Sequence, residues 1–186
     1  MTGGALRRPW MSAITDVGGA AAVEFALILP VLCLLYAVGF EICQAATVNR
    51  KLTDTTVQLA NLLSQYTKVA KSDVSTIMNA SSQTMTPFPN SSLALKVSEV
   101  SIDNSGHASV TWSEAYLNGV PFQGTALTAP PTAPASFATP NSSYVLVQSS
   151  YVYTPVVAGT WLPALTFTDQ SFMLPRDSAS IPCTDC

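Results

Sequence analysis

The chain contains a continuous apolar stretch that a single charge interrupts. Residues 20–40 hold one charged side chain, Glu24, and consist otherwise mainly of Ala, Leu, Val and Phe. About 20 apolar residues allow a helix to cross a hydrocarbon core of about 30 Å. A chain in lipid must satisfy its own backbone groups, so the stretch is predicted to be a spanning helix. Pro30 and Gly39 fit this prediction, because spanning helices tolerate both residue types.

The same stretch has an alternative interpretation as a cleaved secretory signal. Such signals have an apolar core of about 7–15 residues and then a small-residue cleavage site. Residues 26–40 would be long enough for the core, but EICQAATVNRKL after it reads as continuing helix. We therefore predict a membrane anchor, with the transmembrane helix over residues 20–46.

Beyond residue 46 the pattern changes to that of an amphipathic helix. Apolar positions recur in steps of four and three, and polar residues fill the other faces. The spanning helix is expected to continue to near residue 66 and to pack on its own domain or on helices of other subunits. The predicted buried stripe is Val48, Leu52, Thr55, Leu59, Leu62, Tyr66 and Val69.

A second, shorter helix is predicted to follow. Ser72 is a residue type that caps helix N-termini, and Asp73 suits the positive end of the helix dipole. Pro87 and Pro89 end this helix, because proline cannot continue one. The helical region beyond the membrane therefore covers residues 47–86. The apolar side of the second helix is predicted to be Val74, Ile77, Met78 and Ser81.

Residues 87–186 are predicted to form a β-rich domain. LALKVSEVSI alternates apolar and polar residues, and its phase slips before Val100, which indicates a β-bulge. DNSG at 103–106 is a turn, and ASVTW completes a hairpin. The residues expected on one side of the second hairpin strand are Ala108, Val110 and Trp112.

The rest of this domain is predicted to be strands around an irregular excursion. Residues 117–142 are rich in proline and form that excursion. Further strands are predicted at 144–154 and near 165–174. We expect an α+β fold, in which the long helix, transmembrane and then amphipathic, packs on a mostly antiparallel sheet of about four strands.

Charge and composition argue against several classes of function. Only 10% of the residues are charged and the net charge is −3, so no nucleic-acid surface is expected. With His107 as the one histidine, neither a metal centre nor a Ser–His triad is expected. The chain is therefore predicted not to be an enzyme and to take no cofactor and no small-molecule substrate.

The cysteines fall into two pairs. Cys33 and Cys43 lie within or beside the apolar run, so a four-cysteine zinc site is not expected. Cys183 and Cys186 are predicted to form a disulfide, and a redox CxxC motif or an unpaired tail are the alternatives. A redox motif is typically found where a helix begins in a βαβ unit.

The orientation of the predicted span follows from the domain rather than from flanking charges. Arg7 and Arg8 precede the span and Arg50 and Lys51 follow it, so the positive-inside rule gives nearly a tie. A polar, Ser/Thr-rich domain with a cysteine pair suits an oxidising outer compartment. We predict a cytoplasmic N-terminus and an extracytoplasmic C-terminal domain.

The segment GGAAAVEFALILPVLCLLYAVGFEICQA resembles the start of the TadE-like family. Members are minor pilins, or pseudopilins, of tight-adherence (Flp-type) pilus systems. YVYTP at 151–155 and MLPR at 173–176 resemble the closing strands of the same family. The resemblance implies a pilin-like protein of the bacterial inner membrane that acts in pilus assembly by association. The residues that carry it are Gly19, Ala20, Ala22, Val23, Glu24, Phe25, Leu29, Pro30 and Glu41.

The resemblance also implies a processing site. A prepilin peptidase would cut after Gly19, so residues 1–19 become a leader, Ala20 the first residue and Glu24 the fifth. A carboxylate in lipid costs about 2.5 kcal/mol or more at a helix centre, and the new amino group of Ala20 would pair with it. Alternatively, Glu24 reaches the headgroups and has no further role. The implied partners are the peptidase, other pilins through the N-terminal helix, and the lipid bilayer.

Other interpretations stay open on the same residues. The chain is alternatively a single-pass, membrane-tethered extracytoplasmic binding module unrelated to pili. A secreted enzyme would require a mature N-terminus beyond residue 46 and a catalytic cluster, which the sequence does not show. Glu41, near the outer end of the span, is expected to be an interfacial charge or part of a subunit-packing pattern.

Overall fold

The computed structural model describes residues 17–117, 130–157, 159 and 163–186. The chain divides into two compact units, with the boundary between Cys43 and Gln44. The predicted α+β class is confirmed, because a long helix and an antiparallel sheet make up the described elements. These elements are helices α1 (Val17–Leu63) and α2 (Lys71–Ser82), and strands β1 (Leu93–Ile102), β2 (Ala108–Leu117), β3 (Ser143–Tyr153) and β4 (Leu165–Met173).

In the first unit, α1 presents apolar side chains on all of its faces. The helix continues through Pro30 as predicted, and every described side chain from Gly19 to Tyr36 is exposed. A helix that is apolar all round needs an apolar environment on every side. Within the described ranges, α1 is the one helix long and apolar enough to cross a membrane, by length and composition.

In the second unit, the strands form one antiparallel sheet with the order β2-β1-β3-β4. The four strands and their antiparallel pairing match the prediction. Residues 118–129 of the predicted proline-rich excursion lie outside the described residues. Residues 130–142 contain no helix or strand, as expected from their prolines, which cannot donate a backbone hydrogen bond.

The predicted bulge lies in the hairpin, but the extra residue belongs to β2. Glu99 pairs with Trp112 and Val100 pairs with Val110, which leaves Thr111 without a partner in β1. The register of β1 against β3 continues without a shift. The phase change in the β1 sequence therefore means that its apolar residues from Val100 onward lie on the opposite sheet face from those before it.

The two sheet faces accordingly carry separate apolar clusters. Val110 and Trp112 lie in different clusters, so the prediction that they share one side with Ala108 is wrong. The extra residue in the bulge reverses the alternation between them. The helix-facing cluster includes Val48, Leu52, Leu59, Leu63, Val74, Met78, Leu93, Leu95, Val97, Trp112, Val145, Val147, Tyr151 and Ile181. The opposite cluster is Val100, Ile102, Tyr144 and Leu146, with Val110, Ala133, Phe137 and Phe172 packed on it.

The buried stripe of α1 in the second unit departs from the prediction near the end of the helix. Leu62 is 44% exposed, because a strict seven-residue repeat drifts by about 20° per heptad on a straight helix. Tyr66, which is 40% exposed, lies beyond the end of the helix. The helix also ends at Leu63 rather than near Tyr66. Val69 is buried as predicted, but it lies beyond the helix. The buried residues of this half are Val48, Leu52, Thr55, Thr56, Leu59, Ala60 and Leu63.

Ser72 does not cap α2. The cap position is Ala70, whose side chain has no oxygen, and the Asp73 carboxylate accepts from the Ala70 N–H at 3.1 Å. The Lys71 N–H donates to Asp185 Oδ1 at 2.6 Å, from 114 residues away. Such a distant partner has no local sequence signal. The buried side of α2 is as predicted, with Val74, Met78 and Ser81 buried and Ile77 half-buried.

Candidate functional site

Glu24 lies one helical turn beyond Ala20 on an exposed part of α1. Residues four apart share one face of a helix. At 1.5 Å of rise per residue, the two Cα atoms are separated by about 6 Å along the axis. A charge placed at the nitrogen of Ala20 would therefore stand within reach of the Glu24 side chain.

Gly19 is inside α1, and packing does not explain it. A Cβ atom added at this position would meet nothing within 4 Å. Gly19 is the third residue of α1 and lies in its first turn. No contact among the described residues therefore requires a glycine at this position. Residues 1–16 of the predicted leader, with Arg7 and Arg8, lie outside the part of the chain that the structure describes.

Glu41, the second carboxylate of the apolar half, has a different environment. It is 8% exposed, while its neighbours Phe40 and Ile42 are 40% and 63% exposed. Burial distinguishes it from Glu24, which is exposed. The two carboxylates therefore have different surroundings, although both interrupt an apolar sequence.

The cysteine pair near residue 185 is joined as a disulfide. The Cα atoms of Cys183 and Cys186 lie 5.6 Å apart, and the pair lies in no helix or strand. The two sulfurs and the Asp185 carboxylate approach within 4.8 Å of one another, but sulfurs in a disulfide are not thiolate ligands. Cys33 and Cys43 are exposed positions on α1.

His107 belongs to the hairpin turn. Its side chain is 84% exposed, and Nδ1 lies 3.7 Å from Asp103 Oδ2. The backbone N–H groups of His107 and Ser105 each donate to Asp103 Oδ1 at 2.8 Å. These hydrogen bonds lower the pKa of Asp103, and the one from the His107 N–H has the largest effect. The residue therefore closes the hairpin turn.

A shallow depression of about 450 Å³ is lined by Gln148, Ser149, Thr168, Asp169 and Gln170. The Ser149 hydroxyl is hydrogen-bonded to the hydroxyl of Thr56 at 2.5 Å. The lining of the depression consists of amides, hydroxyls and one carboxylate. This set offers neither an activated nucleophile nor a pair of acid and base groups.

Sequence reasoning missed the most deeply buried charged residue among those described, Glu99. It is 1% exposed, and its Oε1 accepts the N–H of Ile181 at 2.6 Å. A signal for it exists, because Leu93, Leu95 and Val97 precede it at alternate positions of the same strand. A glutamate continuing an inward-facing series of a strand requires a buried hydrogen-bond partner.

Among the described residues, a single exposed apolar helix that continues into an α+β unit is consistent with a membrane-anchored protein. The model of the TadE-like protein family matches residues 19–61. No curated protein and no solved structure matches the chain. The resemblance seen in the sequence is thus confirmed for this segment, which contains Gly19, Ala20 and Glu24. A TadE-like segment with an apolar helix indicates a protein associated with the machinery of the tight-adherence pilus.

Proposed function

We propose that this protein is a membrane-anchored minor pilin, or pseudopilin, that acts in assembly of a tight-adherence (Flp-type) pilus. It acts by association with other pilins and catalyses no reaction. Its place is the bacterial inner membrane, with the N-terminus cytoplasmic and the second unit periplasmic. The observation that carries the proposal is Glu24, a carboxylate on an exposed apolar helix inside the TadE-like segment.

In this proposal, prepilin peptidase hydrolyses the peptide bond between Gly19 and Ala20. The family match begins at Gly19, and no packing among the described residues requires a glycine there. Hydrolysis gives Ala20 a free amino group, which is protonated at neutral pH. The Glu24 carboxylate lies one turn away on the same face, so it pairs with this ammonium group in its own or a neighbouring subunit.

The pairing explains why the carboxylate is kept in an apolar helix. An unpaired carboxylate at a bilayer centre costs about 2.5–3.5 kcal/mol on insertion scales. An opposite charge nearby offsets that cost, since Coulomb attraction is stronger where the dielectric constant is low. Pairing with the ammonium group of a neighbour would also set the axial position of one subunit against the next.

Association in the bilayer would use the exposed surface of α1. Helices in lipid gain little from burying apolar area and associate through close packing, which small residues at the interface permit. Ala22 and Ala26 are four residues apart and share one face. Both are exposed, so a neighbouring helix can approach there.

N-terminal sequencing of the membrane-extracted protein tests the proposal. A mature start at Ala20 is expected when the peptidase is present, and the full leader is expected when it is absent. An intact leader in both strains would favour the binding module unrelated to pili. A start near residue 47 would instead indicate a secreted protein behind a signal sequence.

A further inference from the structure

Residues 176–186, which we term the strap, follow β4 and contact several elements of the second unit. Backbone hydrogen bonds attach the strap to the end of α1 and to the connection before α2. Arg176 N–H donates to Ser64 O at 2.9 Å, and Val69 N–H donates to Pro182 O at 3.1 Å. Thr184 N–H in turn donates to Val69 O at 3.1 Å. The strap therefore has a defined position beside both helices.

The centre of the strap is anchored at Ile181. This side chain is 0% exposed, its N–H donates to Glu99 Oε1 at 2.6 Å, and its carbonyl accepts from Trp112 Nε1 at 2.7 Å. Glu99 and Trp112 are direct partners across β1 and β2. Their side chains form hydrogen bonds with both backbone polar groups of Ile181. This anchor therefore does not depend on the cysteines.

The far end of the strap is attached to the N-terminus of α2. Lys71 is the first residue of that helix, and its N–H would otherwise be one of the unpaired donors of a helix N-terminus. Asp185 accepts it at 2.6 Å, at the helix end where a negative charge is favoured. The Lys71 side chain also contacts Glu114 of β2 at 3.0 Å. Asp185 thus performs the capping role that Ala70 cannot perform.

The disulfide encloses this capping residue. Cys183 and Cys186 are bonded three positions apart, so Asp185 lies within a four-residue ring. Ring closure restricts the backbone conformations of the residues inside it. We propose that the Cys183–Cys186 disulfide is a redox clasp: oxidised, it holds Asp185 on the N-terminus of α2, and reduced, it releases that end. The Ile181 anchor keeps the remainder of the strap in place in both states.

The chemistry is a thiol–disulfide exchange with a dithiol reductant. A thiolate of the reductant attacks one sulfur, the Cys183–Cys186 bond breaks, and the second reductant thiolate releases the protein from the mixed disulfide. The protein gains two electrons and two protons and carries two thiols. The dithiol loses the same number and closes its own disulfide. The clasp is independent of the proposed function, because it involves the second unit alone.

Hydrogen exchange at the Lys71 amide tests the proposal directly. The full-length protein in detergent micelles is compared with and without dithiothreitol, at single-residue resolution. Reduction is expected to accelerate exchange at Lys71 by about fivefold to tenfold, the factor that loss of an N-cap produces. The Ile181 amide is expected to keep its protection. Unchanged exchange at Lys71 after complete reduction would overturn the proposal.

Variants separate the clasp from a general loosening of the fold. Asp185→Ala, which removes the acceptor oxygen, is expected to exchange fast at Lys71 even when oxidised, with no further response to dithiothreitol. Asp177→Ala, at an exposed carboxylate of the same strap, should behave like the original protein. The double variant Cys183→Ser/Cys186→Ser should reproduce the reduced state. A full response to reductant in Asp185→Ala would show that the disulfide acts through another contact and would contradict the mechanism.

Discussion

At the residue scale, two glutamates define the contrast between the units. Glu24 is exposed on an apolar helix, whereas Glu99 is 1% exposed within the folded unit. Glu99 Oε1 holds the Ile181 N–H, while Oε2 is buried with no hydrogen-bond partner among the described residues. A buried carboxylate is costly unless it is hydrogen-bonded. Its retention on β1 is explained by the strap residue that it holds.

Replacing Glu99 with alanine should weaken the second unit. The Ile181 N–H would remain buried without an acceptor, and a donor in that state costs about 1–3 kcal/mol. We expect the free energy of unfolding to fall by about 2 kcal/mol, measured by denaturant titration of the protein in micelles. Asp177→Ala, on the exposed part of the strap, is the matched control and should change stability by less than about 0.5 kcal/mol. Equal effects of the two variants would refute the anchor.

Asp103 should give the hairpin turn a pH dependence on the acid side. Its folded-state pKa lies below the ordinary value of 3.8, chiefly because the His107 N–H binds the ionised form. The contribution of the carboxylate to the turn is therefore present above the ordinary pKa and is lost as the pH falls through the folded-state pKa.

The measurement is an NMR titration of the His107 and Ser105 amide shifts. Their midpoint is expected below 3.8, and Asp103→Asn should abolish the transition. That variant keeps an acceptor oxygen but cannot ionise. A midpoint at or above 3.8 in the original protein would mean that the two N–H groups do not favour the ionised carboxylate.

At the element scale, the helices and strands could be predicted from the sequence because they depend on local patterns of residues. Both helices, the four strands and the hairpin follow from the period of apolar residues and from turn chemistry. The cap of α2 was mispredicted because its acceptor, Asp185, comes from a distant segment. The side of Val110 was mispredicted because the bulge lies in β2, whereas the change in phase of the apolar residues is visible in the sequence of the partner strand β1. The residues of the candidate site, Gly19, Ala20 and Glu24, lie within six positions on one helix, so their proximity follows from the sequence alone, whereas the role of Glu99 depends on the distant strap.

The bulge in β2 gives a deletion test. Removing Thr111, which has no partner in β1, should let Trp112 follow Val110 directly and keep every existing pair. Removing Ser113, which pairs with Ser98, must turn either Trp112 or Tyr116 to the wrong face, because a one-residue shift exchanges the two faces.

We expect the Thr111 deletion to unfold cooperatively with Trp112 still buried. The Ser113 deletion should lose about 2 kcal/mol or more of stability, as core disruption generally does. Tryptophan fluorescence and denaturant titration report both quantities. If the Thr111 deletion exposes Trp112 as much as the Ser113 deletion does, the assigned position of the bulge is wrong.

At the scale of the whole molecule, the two units differ in what surrounds their apolar side chains. In the second unit, apolar residues are buried in two clusters on opposite faces of one sheet. In the first unit, they are exposed along α1 from Val23 to Ile42, apart from small residues. Water is a poor solvent for such a surface, so lipid or neighbouring helices must cover it. This division is consistent with membrane contact through the first unit, whereas the second unit is folded around its own cores.

The central claim is that Glu24 meets the amino group exposed at Ala20. Its most direct test is pilus production by cells that carry Glu24→Gln, with Asp54→Asn, at an exposed carboxylate of the same helix, as the control. We predict that Glu24→Gln sharply reduces pilus production and the co-purification of the protein with the other pilins, while Asp54→Asn does not. Normal processing and normal pilus production in the Glu24→Gln strain would contradict the account.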